Sequence, residues 1–206
     1  MMIKNDQMQY LDRHEIEDTL SDIDVSKYSC SAGVVVLMEY NRMIYVVLGH
    51  EYKWSPFSGH CEEGESFALC AARELVEETC SCLRTPFNDI EATYKILLDR
   101  DDDRVLGAVL RHFSGNGVDY CHCSFIIKIK FDRCLPLRFL TTLTALHNGD
   151  LIDHQAIQDG KKNEAFFEKT ALGYWCLYRL KRIRRKMTLN FIDILPVIKH
   201  AIAVHC

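Results

Sequence analysis

Three glutamates, Glu74, Glu77 and Glu78, recur at i, i+3, i+4 in the stretch "CAARELVEETC", with Arg73 directly before them. On a helix, at about 100° per residue, that spacing turns all three carboxylates to one side. Charges about 4 Å apart repel by roughly 4 kcal/mol per pair at an effective dielectric near 20. Solvent shrinks the figure, but helix propensity alone gives no reason to accept it. A divalent cation removes the conflict, because hard oxygen ligands converging on one point suit Mg2+ or Mn2+. Taken alone, the same spacing also describes a solvated acidic face, since glutamate forms helices well.

The elements that must carry these residues can be read around them. Ser66–Thr79 has helical periodicity, with Ala68, Leu69, Ala72, Leu75 and Val76 as an apolar stripe suited to packing on a sheet. The glutamates then fall on the opposite side. Before the helix, "KWSPFSGHCEEGES" breaks regular structure with Pro56, Gly59 and Gly64. The β-branched runs 32–39 and 43–49 predict a hairpin. Segments 92–99 and 105–113 read as a strand pair around an acidic turn, and 119–131 as the longest strand. A late strand is expected over 172–180, and a terminal helix over 188–205 interrupted at Pro196. Some helix is expected within 132–170. Residues 1–29 form an arm, with a short helix around Asp12–Leu20, and 30–206 form one domain ending in a basic and helical extension. Strands around a central helix, with more helix at the end, give an α/β sandwich.

Composition excludes several classes. The 206 residues are 48% hydrophobic and 26% charged, an ordinary globular balance. A net charge of −4 gives no global case for nucleic acid, although charge is unevenly spread. The chain opens on a polar, acidic stretch rather than a signal peptide, so its ten cysteines are expected as reduced thiols in the cytoplasm. "CSC" (Cys80, Cys82) and "CHC" (Cys121, His122, Cys123) lack paired C-x2-C spacing, which disfavours structural zinc. In a strand, Cys121 and Cys123 share a face. No apolar run approaches the length of a membrane span.

Gly59, Glu65, Arg73-Glu74-Leu75 and Glu77-Glu78 reproduce, in register, the G-x5-E-x7-R-E-U-x-E-E core of the Nudix box. The chain therefore resembles the Nudix hydrolase superfamily, most closely over 59–83 and more generally from the strand at Cys30 to Phe131. Two positions depart from the pattern. Cys80 stands where the box has a helix-ending glycine, a left-handed residue that cysteine adopts less cheaply, so the helix is expected to run on or end differently. Ser58 stands where glycine is frequent. The resemblance implies an α/β/α sandwich with a mixed sheet and a loop–helix–loop catalytic motif. It further implies Glu74 and Glu78 as principal ligands of Mg2+ or Mn2+, and Glu77 as a ligand or water-orienting group. Arg73 would hold the glutamates, and Glu65 would support the loop. The implied chemistry is attack of a metal-activated water on a pyrophosphate. Such enzymes commonly add a carboxylate from a downstream loop. Glu164 ranks first for it, then Glu168, then Asp119, each of which also reads as a surface acid.

The flanks bear on the substrate. "RLKRIRRK" (179–186) sets six cations in eight residues, and Lys181, Arg182, Arg184 and Arg185 would track the phosphates of an RNA body. A solubilising helix face is the alternative. Trp54, Phe57 and Phe67 could stack on a base or simply fill a core. The late "EKTALGYW" and the altered helix end resemble the poxvirus-type mRNA-decapping Nudix branch of large DNA viruses. That likeness implies release of m7GDP from capped RNA. ADP-ribose, dinucleoside polyphosphates and diphosphoinositol phosphates are the alternative substrates. A catalytically silent binding module is the remaining alternative, although it would have no need to keep mutually repelling carboxylates.

Overall fold

The structure is a computed structural model that describes residues 4–115, 117–147 and 169–205. Its centre is a mixed sheet built on β2 (Ser29–Tyr40), whose residues alternate between two cores. Ala32, Val34, Val36 and Met38 face one core, while Val35 and Leu37 face the other. A strand buried on both faces needs a covering layer on each side. Strand order is β1 (Lys4–Leu11), β6 (Val105–Gly115), β7 (Val118–Lys130), β2, β3 (Met43–His50) and β4 (Trp54–Ser55), with β5 (Phe57–His60) added to β2 and β8 (Ala171–Cys176) to β3. β2 runs parallel to β7 (Val118–Lys130), and the other strand pairs are antiparallel. One face is covered by α2 (Phe67–Glu78), α3 (Ile90–Leu98) and α4 (Leu135–His147), the other by α5 (Leu189–His205). This is the α/β/α sandwich expected from the box.

The expected hairpin forms from β2 and β3 (Met43–His50), closed by Asn41 and Arg42, both left-handed with φ 50° and 61°. Residues 1–29 do more than the expected arm: β1 (Lys4–Leu11) is an edge strand on β6 (Val105–Gly115), followed by α1 (Ile16–Ser21). The strand expected over 92–99 is instead α3. Asp89 caps it, its carboxylate accepting from the Ala92 amide at 2.8 Å, and Thr93, Ile96 and Leu97 are buried at helical spacing. Pro196 does not interrupt α5, because Ile192, Ile194, Ile198, Ala201 and Ile202 hold it against the sheet. The lost backbone bond is outweighed by that burial. β8 stops at Cys176, and 3₁₀ turns follow over Leu177–Lys186. Cys121 and Cys123 do share a face, packed in the core. Among the described residues, no helix is long and apolar enough to cross a membrane.

Candidate functional site

The box helix α2 begins where Ser66 Oγ accepts from the Leu69 amide at 3.2 Å and ends at Thr79. Cys80 and Ser81 then take φ of 50° and 53°, and the Ser81 amide donates to the Val76 carbonyl at 2.8 Å. The helix thus closes in the left-handed manner of a glycine end despite the missing glycine. The expectation that Cys80 would avoid that conformation is corrected. Burial of its side chain in the core, which also pushes its thiol up to about 12, offsets about 1–2 kcal/mol of backbone strain.

The carboxylates are not on a solvated face. Glu78 is 2% exposed and Glu74 8%, because α2 presses this side against β5. At Gly59 of β5, an added Cβ would fall inside the Glu74 carboxylate, so only glycine permits the approach. Next to it, the Ser58 amide donates to Glu78 Oε2 at 2.8 Å. Arg73 is the hub. It donates from Nη1 to Glu74 at 2.7 Å and Glu77 at 3.1 Å. From Nε and Nη2 it donates to the two Glu65 oxygens, both at 3.0 Å, and from Nη2 to the His60 carbonyl at 2.9 Å. Burial would raise the Glu65 carboxyl, but Arg73 and the Glu62 amide hold it below its ordinary value. Burial pushes Glu77 up, against the pull of Arg73.

Sequence reasoning missed Lys169. It is 4% exposed, and its Nζ lies 2.8 Å from Glu78 Oε1, 3.2 Å from Ser55 Oγ and 3.7 Å from Glu51. The repulsion expected among the glutamates is therefore relieved by two side-chain cations, Arg73 and Lys169. Among the described residues no three acidic, histidine or cysteine groups form a ready metal cage. Yet Glu78 Oε1 is buried without an aligned hydrogen-bond donor, the ammonium lying near it but off the bonding direction. A buried carboxylate oxygen with an unfilled lone pair, on a helix with two further carboxylates, fits a hard divalent ion.

Behind Ser58 and Lys169 a cavity of about 230 Å3 opens on the α5 side of the sheet. Arg111, Phe113, His122 and Ser124 line it from β6 and β7, and Asn190 and Phe191 from α5. Arg111 forks onto Asp6 at 2.8 and 2.6 Å and reaches Asp193 at 3.3 Å, so its charge is internally matched. His122 sits between Ser31 Oγ at 2.7 Å and Ser124 Oγ at 2.9 Å, and burial pushes it down to about 4. The alternation of "RHF" and "CHC" is the sign of these residues in the sequence; the cavity itself draws its lining from distant segments between β2 and α5.

Other expected site residues fare differently. Phe57 and Phe67 are buried in the core and cannot stack on a base, which corrects that expectation. Phe57 points inward because β5 alternates, sending Ser58 to the cavity side. Trp54 packs edge-on against Trp175 with centroids 5.1 Å apart. Asp119 lies at the β6–β7 turn, bonded to Ser114 at 2.5 Å and away from α2. Arg184, Arg185 and Lys186 are exposed. Glu164, Glu168 and the side chains of Lys181 and Arg182 lie outside the described residues.

Residues 27–112 match the model of the NUDIX domain. This segment, less than half of the chain, is similar to Nudix domains. A comparison with curated proteins gives no significant match. Among solved structures, the chain is similar to a Caenorhabditis elegans Ap4A hydrolase in a binary complex: 13% identity, 85% of this chain and 98% of that chain covered, TM-score 0.50. It is also similar to the NUDIX domain of Shewanella oneidensis NrtR complexed with ADP ribose: 14% identity, 92% and 98% covered, TM-score 0.49. The Nudix match ends at β6, so Lys169 and α5 lie beyond the matched segment.

Two opposed titrations, of Glu78 and His122, shape the dependence of stability on pH. Burial, only partly opposed by Lys169, pushes Glu78 up to about 8 from 4.5. The native state then keeps a proton that the unfolded chain has lost, so this group lowers stability as pH rises from 4.5 to 8. His122 is depressed from 6.5 to about 4, so it raises stability as pH rises over that window. Above pH 6.5 only the Glu78 effect remains. In chelator, the Tm of the parent should therefore decline from about pH 6.5 to 8, and that of Glu78→Gln should stay flat. A decline of equal size in both would assign it to another group.

Proposed function

We propose that this chain hydrolyses the pyrophosphate linkage of a nucleoside-diphosphate-linked substrate, with Mg2+ or Mn2+ held by Glu74, Glu77 and Glu78. The observation that carries this is the buried carboxylate set, linked to the 230 Å3 cavity by Ser58 and Lys169, which both contact Glu78 and line the cavity. A divalent ion there would stabilise phosphoryl oxygens and lower the pKa of an attacking water. The protein supplies orientation and proton handling. Arg73 fixes Glu74 and Glu77 relative to Glu65, and the Ser58 amide fixes Glu78. Glu77, raised by burial, is proposed to take the proton from water, with Glu164 proposed as the further carboxylate and Glu168 after it. Neutral His122 and Ser124 line the cavity with uncharged polar groups suited to a ribose or base. Paired Arg111 adds little net charge to the cavity. That favours a nucleoside moiety in the cavity and the phosphates toward Lys169.

A second reading, removal of an mRNA cap, has one specific support. The exposed Arg184, Arg185 and Lys186 lead straight into the cavity wall: Met187 bridges to Trp54, and Thr188, which lines the cavity, donates its amide to the Trp54 carbonyl at 3.1 Å. An RNA body leaving the cavity would meet that run. A panel of capped RNA, ADP-ribose and dinucleoside polyphosphates with each metal decides between the readings. If RNA is the substrate, reversing Arg184, Arg185 and Lys186 to Glu should raise KM for long capped RNA. It should also flatten the salt dependence by about 0.7 in log–log slope per lost phosphate contact. Small nucleotides should be unaffected. Preference for ADP-ribose or a dinucleoside polyphosphate, with no competition from RNA, removes the decapping reading and leaves the hydrolase.

A further inference from the structure

Lys169 stands outside the box and outside the matched domain segment, yet it is built into the carboxylate site. Its backbone is pinned where the Thr170 amide donates to the His50 carbonyl at 2.7 Å, at the start of the β3–β8 ladder. Its aliphatic stem crosses Gly49, where an added Cβ would meet Lys169 Cδ at 2.8 Å and Cγ at 2.9 Å. The groove for the stem thus requires a residue with no side chain. Its ammonium ends at Glu78 Oε1, the same buried oxygen whose lone pair no aligned donor fills, and it also lines the cavity. A surface lysine that had folded inward by chance would have neither a glycine groove nor a 2.8 Å carboxylate.

We propose that Lys169 is a resident counter-cation that occupies Glu78 in the ion-free protein and yields that oxygen when a divalent ion is taken up, its ammonium then facing the substrate's phosphates in the cavity. This rests on the hydrolase reading above and assigns a positioning and phosphate-facing role to a residue outside the box. An ammonium and a divalent cation on one carboxylate oxygen repel strongly in a low-dielectric site, so uptake of the ion favours displacing the ammonium. Ser55 Oγ, 3.2 Å from Nζ, and Glu51 lie on the cavity side and offer the ammonium its alternative partners without leaving the wall. The exchange therefore moves one charge from the glutamate toward the place where phosphates would lie.

The roles separate by measuring metal binding without substrate. Lys169→Met removes the competitor and should tighten Mn2+ binding at least tenfold, read by electron paramagnetic resonance of free Mn2+ or by calorimetry. In chelator above pH 8, where Glu78 is ionised, its Tm should fall because the carboxylate loses its cation, and Mn2+ should restore it. KM for the preferred nucleotide should rise more than kcat falls. Lys169→Gln, neutral but still able to donate to Glu78, should also tighten Mn2+ binding and guards against a folding failure of the methionine variant. Lys169→Arg keeps the charge and should not tighten it. A merely structural lysine predicts Mn2+ affinity unchanged or weaker in Lys169→Met and Lys169→Gln, and that result overturns the exchange while leaving the hydrolase reading in place. A parent protein that binds no Mn2+ at all overturns both.

Discussion

Arg73→Met should destabilise the protein by about 3–5 kcal/mol, the usual effect of removing one partner from a buried charge cluster. Arg73 answers three carboxylates at once, and its side chain is only 16% exposed, so solvent cannot take over its role. Glu65 would lose both its guanidinium contacts, and Glu74 and Glu77 would lose the Nη1 that lies between them. The His60 carbonyl would lose a donor as well, loosening the loop that brings Gly59 against Glu74. Arg73→Lys keeps the charge but not the planar fork, and should recover less than half of the loss. Urea unfolding in chelator measures this directly. A loss under about 1 kcal/mol for Arg73→Met would mean that the glutamates are arranged by the helix alone, and that Arg73 is a bystander to their geometry. Mn2+ should stabilise Arg73→Met as well, because an ion supplies part of the missing positive charge, and the gap between variant and parent should narrow as it is added.

Most of the box is legible in the amino-acid sequence because its information is local. Helical spacing sets Glu74, Glu77 and Glu78 on adjacent turns, and Ser66 supplies the cap. Local information does not reveal which way the carboxylate side faces. An acidic stripe opposite an apolar one reads as solvated, whereas here β5 covers it, and only Gly59 makes the cover possible. The same limit explains α3, since a short apolar run fits strand and helix alike until its cap and its buried spacing are seen. Phe57 shows it within a strand of four residues, where alternation gives two faces but not their surroundings. Lys169 is the hardest to see. It lies 91 positions from Glu78, and the β3–β8 register that brings it there is set by pairing between distant segments. The acids of "NEAFFEKTALGYW" stand out because carboxylates do metal chemistry, while among the described residues of that stretch it is Lys169 that meets Glu78.

Glu78→Gln should lower turnover by about a thousandfold, close to 4 kcal/mol of lost transition-state stabilisation, while the ion-free protein remains folded. The two halves of that expectation have one origin. In the ion-free state burial pushes the Glu78 carboxyl up to about 8, so near neutral pH a neutral side chain of the same shape is a good replacement. Glutamine can still accept from the Ser58 amide, which fixes the Glu78 end of the site at 2.8 Å. Its amide group would then face Lys169, and the ammonium must turn toward Ser55 and the cavity, a small rearrangement rather than a lost core contact. What glutamine cannot supply is the full negative charge that a hard divalent ion requires. Saturating Mn2+ at about a hundred times Kd should stabilise the parent by roughly 2.7 kcal/mol and the variant by far less. Three measurements test this together: kcat on the preferred nucleotide, Tm in chelator, and the Tm increment with Mn2+. Activity above a tenth of the parent would sink the ligand assignment. Loss of activity with the Mn2+ increment intact would move Glu78 from holding the metal to handling the proton, and Glu74 and Glu77 would then have to hold the ion without it.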